Sequence, residues 1–396
     1  MKEKVVLAFS GGLDTSFCIP YLLKEKGLEV HTVMVNTGGF SKEEEQQIEQ
    51  RALSLGAATH KTIDASVEYY TKGIKYLIFG NVLKNGTYPL SVSSERIFQA
   101  LAVLEEVKNI GAKYVAHGST GAGNDQVRFD LVFEVLAPDV KILAPIRELS
   151  LSRAQEIEYL AKNGCAISWE KAKYSINQGL WGTSIGGMET LVSEGILPED
   201  AFPSQLVKSE KRVIKIGFNK GEALSIDGKE MSPIELIKLL NGIASEYAIG
   251  RDIHVGDTII GIKGRVAFEA AAPMIIIKAH HLLEKHTLTK GQLYWKDQLA
   301  VWYGQLMHEA QYLDPLARNI ENFLEDTQMS VTGVVDIELR PYHFSILGCS
   351  SDYDLMSSEF GQYGEKNRSF SGDDVIGFTR VLANPLKIYY SVHKND

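Results

Sequence analysis

The chain has 396 residues, of which 44% are hydrophobic and 23% charged. This length is more than one hydrophobic core usually serves, and the composition is that of a globular enzyme, so we expect at least two domains. The 41 basic and 50 acidic residues give a formal charge of −9, which argues against a broad nucleic-acid-binding surface, because such surfaces neutralise phosphates with Lys and Arg.

The cysteines and the lengths of the apolar segments indicate the cellular compartment of the protein. Cys18, Cys165 and Cys349 are far apart and form no C-x-x-C pair, so the sequence predicts neither a disulfide framework nor a zinc site. No stretch approaches the ~18 apolar residues of a membrane span, and the first four residues lead into a strand without a signal peptide. We therefore expect a cytoplasmic protein with no membrane partner and no nucleic-acid partner.

The first element joins an apolar strand over residues 5–9 to the heptapeptide S-G-G-L-D-T-S at 10–16. Gly11 and Gly12 allow a tight turn and a close approach of the backbone to a ligand. The free N–H groups at the start of the following helix attract phosphate, and Ser10, Thr15 and Ser16 add hydroxyl groups. These features favour an anion site over a glycine-rich turn without a ligand.

The spacing of this loop differs from the P-loop G-x-x-x-x-G-K-[ST], because the lysine and the four-residue gap are missing. The heptapeptide resembles the loop of the ATP-pyrophosphatase group. Members of that group bind the pyrophosphate of ATP and release it after forming an adenylate. The resemblance implies that ATP binds at the end of the first strand.

Strands and helices then alternate along the chain. The pattern predicts a helix over 13–26, a strand over 29–35, a helix to about Leu55 with a capping box of Ser41 and Glu44, a strand over 59–63, helices over 67–79 and 94–110, and strands over 113–117 and 140–146. Such alternation predicts a doubly wound parallel α/β sheet with ligands at the carboxyl ends of its strands. Ser152 and Gln155 are predicted to cap one more helix, which ends at Asn163-Gly164.

A second glycine-rich segment, A-H-G-S-T-G-A-G-N-D-Q-V-R at 116–128, follows a predicted strand. It combines three glycines with Thr, Asn, Asp and Arg side chains. A surface loop is the simpler interpretation. Because polar groups of every hydrogen-bonding type surround the glycines at a strand end, we predict a loop that binds a small polar substrate.

The second half of the chain has the pattern of an α+β domain. Hairpins are predicted over 213–226 and 331–348, with helices over 232–240, 297–311 and 315–325. We predict a nucleotide-binding domain over 1–166, a synthetase domain over 167–365 and a C-terminal tail over 366–396. The tail contains Ile388-Tyr389-Tyr390 and is apolar enough to form an oligomer contact.

Four segments together resemble the argininosuccinate synthase family in order and spacing. They are residues 8–16, Tyr88-Pro89-Leu90-Ser91-Val92-Ser93, residues 116–128, and Tyr174-Ser175-Ile176-Asn177 with Gly182-Thr183-Ser184. The resemblance covers essentially the whole chain. It implies a ligase of arginine biosynthesis, forming homotetramers, that uses ATP and Mg²⁺ to join citrulline to aspartate through a citrullyl-adenylate. Because a ureido oxygen is a poor leaving group, it must be adenylated before an amine can displace it, which requires mainly positioning and charge stabilisation.

The resemblance also implies roles for individual residues. ATP would contact Ala8, Phe9, Ser10, Gly11, Gly12, Leu13, Asp14, Thr15, Ser16 and Gly118, with Asp14 as the approach for Mg²⁺. Aspartate would contact Thr120, Asn124 and Asp125. Citrulline would contact Tyr88, Ser93, Asn124, Arg128, Ser175 and Ser184. Asp14, Asp125 and Arg128 form the predicted catalytic set, and the Arg128 fork suits a carboxylate; no general base is assigned.

Simpler interpretations exist for several of these residues. Tyr88 can pack beside Pro89, Ser175 and Ser184 can be turn residues, and Arg128 can belong to a surface ion pair.

Two positions depart from the family's pattern. The family usually has a glutamate where Gly256 stands and a tyrosine where Phe268 stands, and both help to hold citrulline. Either Asp257 or Glu269 takes over the contact with the substrate ammonium, or the substrate is a citrulline with an altered, acylated amino group. The sequence leaves both hypotheses open.

Proteins of other functions share parts of this sequence pattern. Enzymes that thiolate tRNA share the S-G-G-x-D-[ST] loop, but they need reactive cysteines and a basic RNA surface, and NAD or GMP synthetases would not account for the second loop. A non-catalytic sensor of adenine nucleotides would need no polar set for a second substrate. The sequence therefore favours the ligase.

Overall fold

The computed structural model describes residues 2–165, 174–357, 360 and 369–393. Its N-terminal part is built on a five-stranded sheet of β1 (Lys4–Ala8), β2 (Glu29–Asn36), β3 (Thr59–Asp64), β4 (Tyr114–Ala116) and β5 (Lys141–Leu143), in the order β3-β2-β1-β4-β5. All four pairings are parallel, as predicted. The chain moves outward on one side of β1 and then on the other, so the switch point lies between β1 and β4, where such sheets bind ligands.

Helices cover this sheet. They are α1 (Leu13–Lys24), α2 (Lys42–Ser54), α3 (Ser66–Tyr69), α4 (Lys75–Phe79), α5 (Glu95–Ile110), α6 (Asp125–Leu136), α7 (Pro145–Leu149) and α8 (Arg153–Lys162), with a π-helical turn at Tyr70–Ile74 between α3 and α4. The capping boxes at Ser41 and Ser152 are confirmed. The strand predicted over 140–146 is shorter because Pro145 begins α7, a position that suits proline. Val5, Val6 and Leu7 of β1 are fully buried.

The C-terminal part contains two antiparallel sheets. Its strands are β6 (Ser175–Gly179), β7 (Gly182–Gly186), β8 (Arg212–Asn219), β9 (Glu222–Ile226), β10 (Lys229–Glu230), β11 (Arg251–Asp257), β12 (Lys263–Glu269), β13 (Gly333–Arg340) and β14 (His343–Ser350). One sheet has the order β10-β9-β8-β13-β14 and joins the two predicted hairpins; the other has the order β11-β12-β7-β6. The domain therefore has the predicted α+β character.

The C-terminal part contains six α-helices within the described residues, of which the first packs on β9 and the second on β13 and β14. They are α9 (Pro233–Ser245), α10 (Ala271–Thr287), α11 (Lys290–His308), α12 (Pro315–Thr327), α13 (Gly372–Leu382) and α14 (Asn384–Val392), with 3₁₀ turns at Met188–Leu191, Glu199–Ala201, Gln311–Leu313, Gln328–Ser330 and Leu355–Ser357. Across the residues described, no helix is long and apolar enough to cross a membrane. The predicted domain boundary near 165–169 lies almost entirely outside the described residues.

The turn after β2 brings the four-stranded sheet to the edge of the parallel sheet. A side chain added at Gly39 would place its Cβ 2.2 Å from the Gln178 carbonyl oxygen of β6, a distance that atoms cannot adopt without a shift of the backbone. The buried Trp181 indole also donates a hydrogen bond to the Pro89 carbonyl across this junction at 3.0 Å. The four-stranded sheet therefore lies against the carboxyl edge of the parallel sheet, beside the switch point.

Candidate functional site

The loop after β1 forms the floor of the site. Helix α1 begins at Leu13, and Gly12, which precedes it, provides no side-chain cap for the first N–H groups. Gly11 adopts a left-handed φ of 76°, and its carbonyl accepts a hydrogen bond from Arg51 of α2, which holds the turn. The hydroxyls of Ser10 and Thr15 lie 3.4 Å apart. The uncapped start of α1 therefore offers its N–H groups to an anion at the end of β1.

Gly118 lies at the end of β4, next to this loop. A Cβ at this position would lie 2.9 Å from Thr15 Cγ2 and 3.0 Å from the Thr15 nitrogen, so a side chain would press against the first turn of α1. The neighbouring His117 accepts the Ser119 N–H at Nδ1 and pairs with Asp130 through Nε2 at 2.8 Å. The two predicted loops therefore meet, and His117 links Ser119 of the second loop to Asp130 of α6.

Asp14 faces a second carboxyl group. Glu156 on α8 is 2% exposed, burial raises its pKa to about 8, and the adjacent Asp14 carboxylate adds to this effect. Glu156 Oε2 has no hydrogen-bond partner within the described part of the chain. Two close carboxyl groups at an anion site suit a divalent cation with oxygen ligands. The described residues contain no group of three or more His, Cys, Asp or Glu side chains placed to hold a metal.

A network of two arginines fixes the end of the second loop. Asp125 accepts hydrogen bonds from Arg96 Nε at 2.9 Å and from Arg128 at 2.8 Å. Burial acts to raise the pKa of Asp125, but Arg96 and Arg128 outweigh it and lower the pKa to about 2. Arg128 is itself buried, and its Nε donates to the His308 carbonyl at 3.0 Å. It therefore lies in the interior and not in a surface ion pair.

The segment predicted as a loop over 116–128 ends in a helix, since α6 begins at Asp125. Asn124 precedes the helix but does not cap it with its side chain. Its Oδ1 instead accepts the Ile259 N–H at 2.9 Å, which ties the second loop to the turn between β11 and β12. Thr120 lies in the exposed part of the loop.

Glu95 is a buried acid beside this network. It accepts hydrogen bonds from Thr37 at 2.7 Å and from Arg96 at 2.8 Å. Burial raises its pKa to about 7, although Arg96 and Thr37 act to lower it. The carboxyl group therefore changes charge near neutral pH next to the arginine that holds Asp125.

This shift predicts a specific dependence of stability on pH. Because the folded pKa of Glu95 lies above the value near 4.5 of the unfolded chain, its contribution is fully present below about pH 4.5 and is lost as the pH rises to about 7. We expect Glu95→Gln to reduce the fall in the free energy of unfolding between pH 5 and pH 8, measured by urea denaturation. Glu105→Gln on the exposed side of α5 is the control, and equal pH dependence in both variants would contradict the prediction.

One face of the four-stranded sheet carries the remaining predicted residues. Ser184 lies opposite Phe268 and Asn177 in the two neighbouring strands, and directly opposed residues of an antiparallel pair project on the same side. With the alternation along each strand and the pairing of β11 with β12, this face includes Ser175, Ser184, His254, Gly256 and Phe268. The two departing positions therefore share a surface with two predicted citrulline contacts.

The 88–93 segment lies against this face. The Tyr88 ring packs on His254 and Phe268 at centroid distances of 5.2 and 5.3 Å. Its hydroxyl accepts hydrogen bonds from Ser91 Oγ and the Val92 N–H, both at 3.3 Å. Ser93 is buried and donates to the Leu90 carbonyl. Tyr88 thus packs on its neighbours, as in the simpler interpretation, and lines the same region.

The two parts of the chain match two known protein families. Residues 4–166 match the family described as "Arginosuccinate synthase N-terminal HUP domain", and residues 174–389 match "Arginosuccinate synthase C-terminal domain". The chain belongs to the argininosuccinate synthase family. A protein named argininosuccinate synthase from Methanocaldococcus jannaschii is 38% identical over 92% of this chain and 93% of its own length.

Two bacterial relatives carry the same name. The protein of Xanthomonas campestris pv. campestris is 36% identical and that of Dictyoglomus thermophilum is 38% identical, over 99% and 98% of this chain and the same shares of their own lengths. The resemblance to the argininosuccinate synthase family that the sequence motifs indicated is therefore confirmed.

Several residues of this argininosuccinate synthase family site were not predicted from the sequence. Arg96 lies three residues beyond the 88–93 segment, next to Glu95, but nothing in that run shows that it reaches Asp125. Glu156 stands in a helix whose capping signal was recognised, while its proximity to Asp14 depends on the packing of α8 on α1. His254 and His308 are single histidines in apolar surroundings, which is no signal by itself.

Proposed function

We propose that the protein joins the ureido carbon of a citrulline-type substrate to the amino group of aspartate, with ATP cleaved to AMP and pyrophosphate. The observation that carries this proposal is the meeting of two loops at the switch point of the parallel sheet. One is an anion site at the start of α1, and the other begins at Gly118 and ends at Asp125 and Arg128. Family membership and the names of the relatives support the same reaction.

The proposed reaction has two steps. The ureido oxygen attacks the α-phosphorus of ATP, an O–P bond forms, and pyrophosphate leaves. The aspartate ammonium releases a proton to water and its nitrogen attacks the ureido carbon. A C–N bond forms, the C–O bond breaks, and AMP leaves with the former ureido oxygen. The enzyme's main contribution is to position the reactants and stabilise negative charge.

ATP is proposed to bind along residues 8–16 and Gly118, with its phosphates at the uncapped start of α1. Mg²⁺, when bound, would neutralise negative charge on the departing pyrophosphate. Asp14 is the proposed ligand, and the unpartnered Glu156 Oε2 beside it makes the pair suitable for a cation. The hydroxyls of Ser10 and Thr15 lie 3.4 Å apart in the same loop, and Ser16 Oγ is buried without a partner among the described residues.

The substrates are proposed to bind on the second loop and on the four-stranded sheet. Thr120, Asn124 and Asp125 would contact aspartate, since the low pKa of Asp125 keeps it ionised to receive an ammonium group. The citrulline-type substrate would lie between Arg128 and the sheet face, near Tyr88, Ser93, Asn124, Ser175 and Ser184. Arg96 donates to Asn177 of β6 at 3.2 Å, and so links the Asp125 network to that face.

The release of pyrophosphate tests the proposal. We expect purified protein with MgATP to release pyrophosphate only when a citrulline-type substrate and aspartate are both present in steady state, measured with a coupled pyrophosphatase assay. The matched control omits each substrate in turn. A protein that binds ATP but releases no pyrophosphate with any such pair would be a sensor, and the proposed function would be wrong.

We also propose a homo-oligomer, a tetramer by resemblance, with the tail over 366–396 as the contact. Helices α13 and α14 bury none of their residues in the single chain, and Phe378 and Tyr390 are 65% and 69% exposed. Such apolar surface favours association. We place the protein in the cytoplasm, because its three unpaired cysteines suit a reducing compartment. The proposed domains cover residues 1–166 and 167–365.

A further inference from the structure

Gly256 leaves a place in the substrate region that another side chain of this protein fills. A Cβ at this position would lie 2.7 Å from His254 Nε2 and 3.2 Å from Asn85 Nδ2. The imidazole of His254 therefore occupies the room that a side chain at 256 would need. An imidazole stands where the resemblance implies a glutamate, so this part of the pocket lacks the negative charge that a glutamate would provide.

Three further basic side chains approach His254 from other elements. Lys84 is bonded through its backbone N–H to the Tyr88 carbonyl at 2.8 Å, and the Tyr88 ring stacks on His254. Lys84 Nζ donates to Gln305 of α11 at 2.8 Å. His308 follows Gln305 by one turn of that helix, and its carbonyl accepts the bond from Arg128. Lys84, Arg128, His254 and His308 thus form one group, here called the basic cluster.

The charges in the basic cluster oppose one another. Burial, together with Arg128, Lys84 and His254, lowers the pKa of His308 to about 3. Burial and Lys84 lower the pKa of His254, so both imidazoles are neutral at pH 7. Burial lowers the pKa of Lys84 and Arg128 adds to this, although Glu309 and Asp257 act in the other direction.

Both imidazoles have an unsatisfied atom. Nδ1 of His254 and Nδ1 of His308 are buried and have no hydrogen-bond partner in the ranges that the structure describes, and the two side chains are 6% and 5% exposed. A buried polar atom without a partner is costly and uncommon in folded proteins. A bound ligand would satisfy such atoms.

The nearby carboxylates are already committed to other groups. Asp257 is paired with Lys263 at 2.7 Å on the exposed hairpin, and Glu269 is paired with Arg251 at 3.1 Å in the interior. Glu309 accepts from Gln305, and Asp125, between Arg96 and Arg128, is assigned to the aspartate substrate. Neither Asp257 nor Glu269 is therefore arranged to receive a substrate ammonium.

We propose that the basic cluster binds a carboxylate carried on the α-nitrogen of the substrate, which makes the substrate class an N-acylcitrulline whose acyl group ends in a carboxylate. The proposal rests on the proposed function and names its substrate. Acylation removes the ammonium charge, so no glutamate is needed at position 256.

The test compares three substrates at saturating MgATP and aspartate. They are free citrulline, N-butanoylcitrulline and N-succinylcitrulline. The two acyl groups have the same number of carbon atoms, and the succinyl group has a carboxylate where the butanoyl group has its terminal methyl. We expect kcat/KM for pyrophosphate release to be about 10- to 100-fold higher for N-succinylcitrulline than for either of the others, the size of a charge-assisted contact. Because the butanoyl compound keeps the α-carboxylate of the substrate and lacks only the acyl carboxylate, a difference between the two acylated compounds reports on the acyl carboxylate.

Variants locate the effect in the basic cluster. Lys84→Gln is expected to lower the ratio of kcat/KM for the succinyl and butanoyl compounds about tenfold, because the charge that faces the acyl carboxylate is removed. Lys263→Gln is the matched control, since it removes a lysine from the same region that is paired with Asp257, and its ratio should equal that of the unmodified protein.

The possible results distinguish failure of the proposed carboxylate site from failure of the proposed ligase function. A preference for free citrulline, or equal values for the succinyl and butanoyl compounds, would overturn the carboxylate site and leave the proposed ligase function standing. An unchanged ratio in Lys84→Gln would remove the basic cluster from the explanation. Failure of all three compounds to support pyrophosphate release would overturn the proposed function, and the substrate proposal with it.

Discussion

Asp14→Asn is expected to lower substrate-dependent pyrophosphate release by at least about 100-fold, the loss typical when a group that stabilises charge at the reacting centre is removed. Asp14 lies in the first turn of α1, next to the anion site, and faces the buried Glu156. The amide keeps the size of the side chain but removes the charge that would attract Mg²⁺. Initial rates at several Mg²⁺ concentrations measure the effect.

The folded state of this variant should be about as stable as that of the unmodified protein, because the raised pKa of Glu156 keeps its carboxyl group protonated at pH 7, and this group can donate to an amide oxygen as it can to the Asp14 carboxylate. Glu43→Gln is a suitable control, since Glu43 also lies in the first turn of a helix, α2, but is exposed. It should leave pyrophosphate release unchanged. Near-normal turnover in Asp14→Asn would refute the role of Asp14.

Arg128→Lys is expected to reduce turnover by about 100-fold or more and to lower the free energy of unfolding by about 1–3 kcal/mol. The guanidinium bonds the Asp125 carboxylate and the His308 carbonyl together, and a lysine has no planar fork with which to repeat both contacts. The loss would therefore disturb the second loop and the basic cluster. Steady-state kinetics and urea denaturation of one preparation measure both effects.

Arg212→Lys provides the comparison. Arg212 also pairs with an aspartate, Asp227 at 3.2 Å, but both side chains are more than 40% exposed, so the exchange should change stability by only a few tenths of a kcal/mol, roughly within the range for surface pairs. Turnover should not change. Equal effects of the two substitutions would show that Arg128 acts only as an ordinary ion pair.

The N-terminal fold was predicted from the sequence because its signals are local. Apolar strands, two capping boxes and glycine-rich turns follow one another at the spacing of α/β units, and the parallel order is the consequence. By contrast, helix α10 was not predicted. Its sequence A-A-P-M-I-I-I-K begins without a capping residue and is apolar on every side, so periodicity gives no direction.

The four-stranded sheet was also missed, for a different reason. Its strands β6 and β7 are short and rich in glycine and serine, and β7 pairs with β12, which lies more than 80 residues away along the chain. Such pairing has no local signature. Only the position of Ser175 and Ser184 in the family pattern indicated that this segment belongs to the site.

In the candidate site, too, the residues with local signals could be predicted and the long-range contacts could not. The heptapeptide at 10–16 and the loop at 116–128 could be recognised as binding loops from their own residues. The bond between Asn124 and Ile259 spans 135 residues, and the meeting of Lys84, His254 and His308 depends on three elements packing together. Sequence reasoning located the two departures at Gly256 and Phe268, but the cluster that surrounds Gly256 required the fold.

Transfer of oxygen tests whether ATP activates the ureido group. The substrate is labelled with ¹⁸O at its ureido oxygen, and the products of a complete turnover with MgATP and aspartate are examined by mass spectrometry. Because AMP leaves with that oxygen, we expect one ¹⁸O atom in the phosphate of AMP and none in pyrophosphate. Unlabelled AMP formed together with the joined product would contradict it.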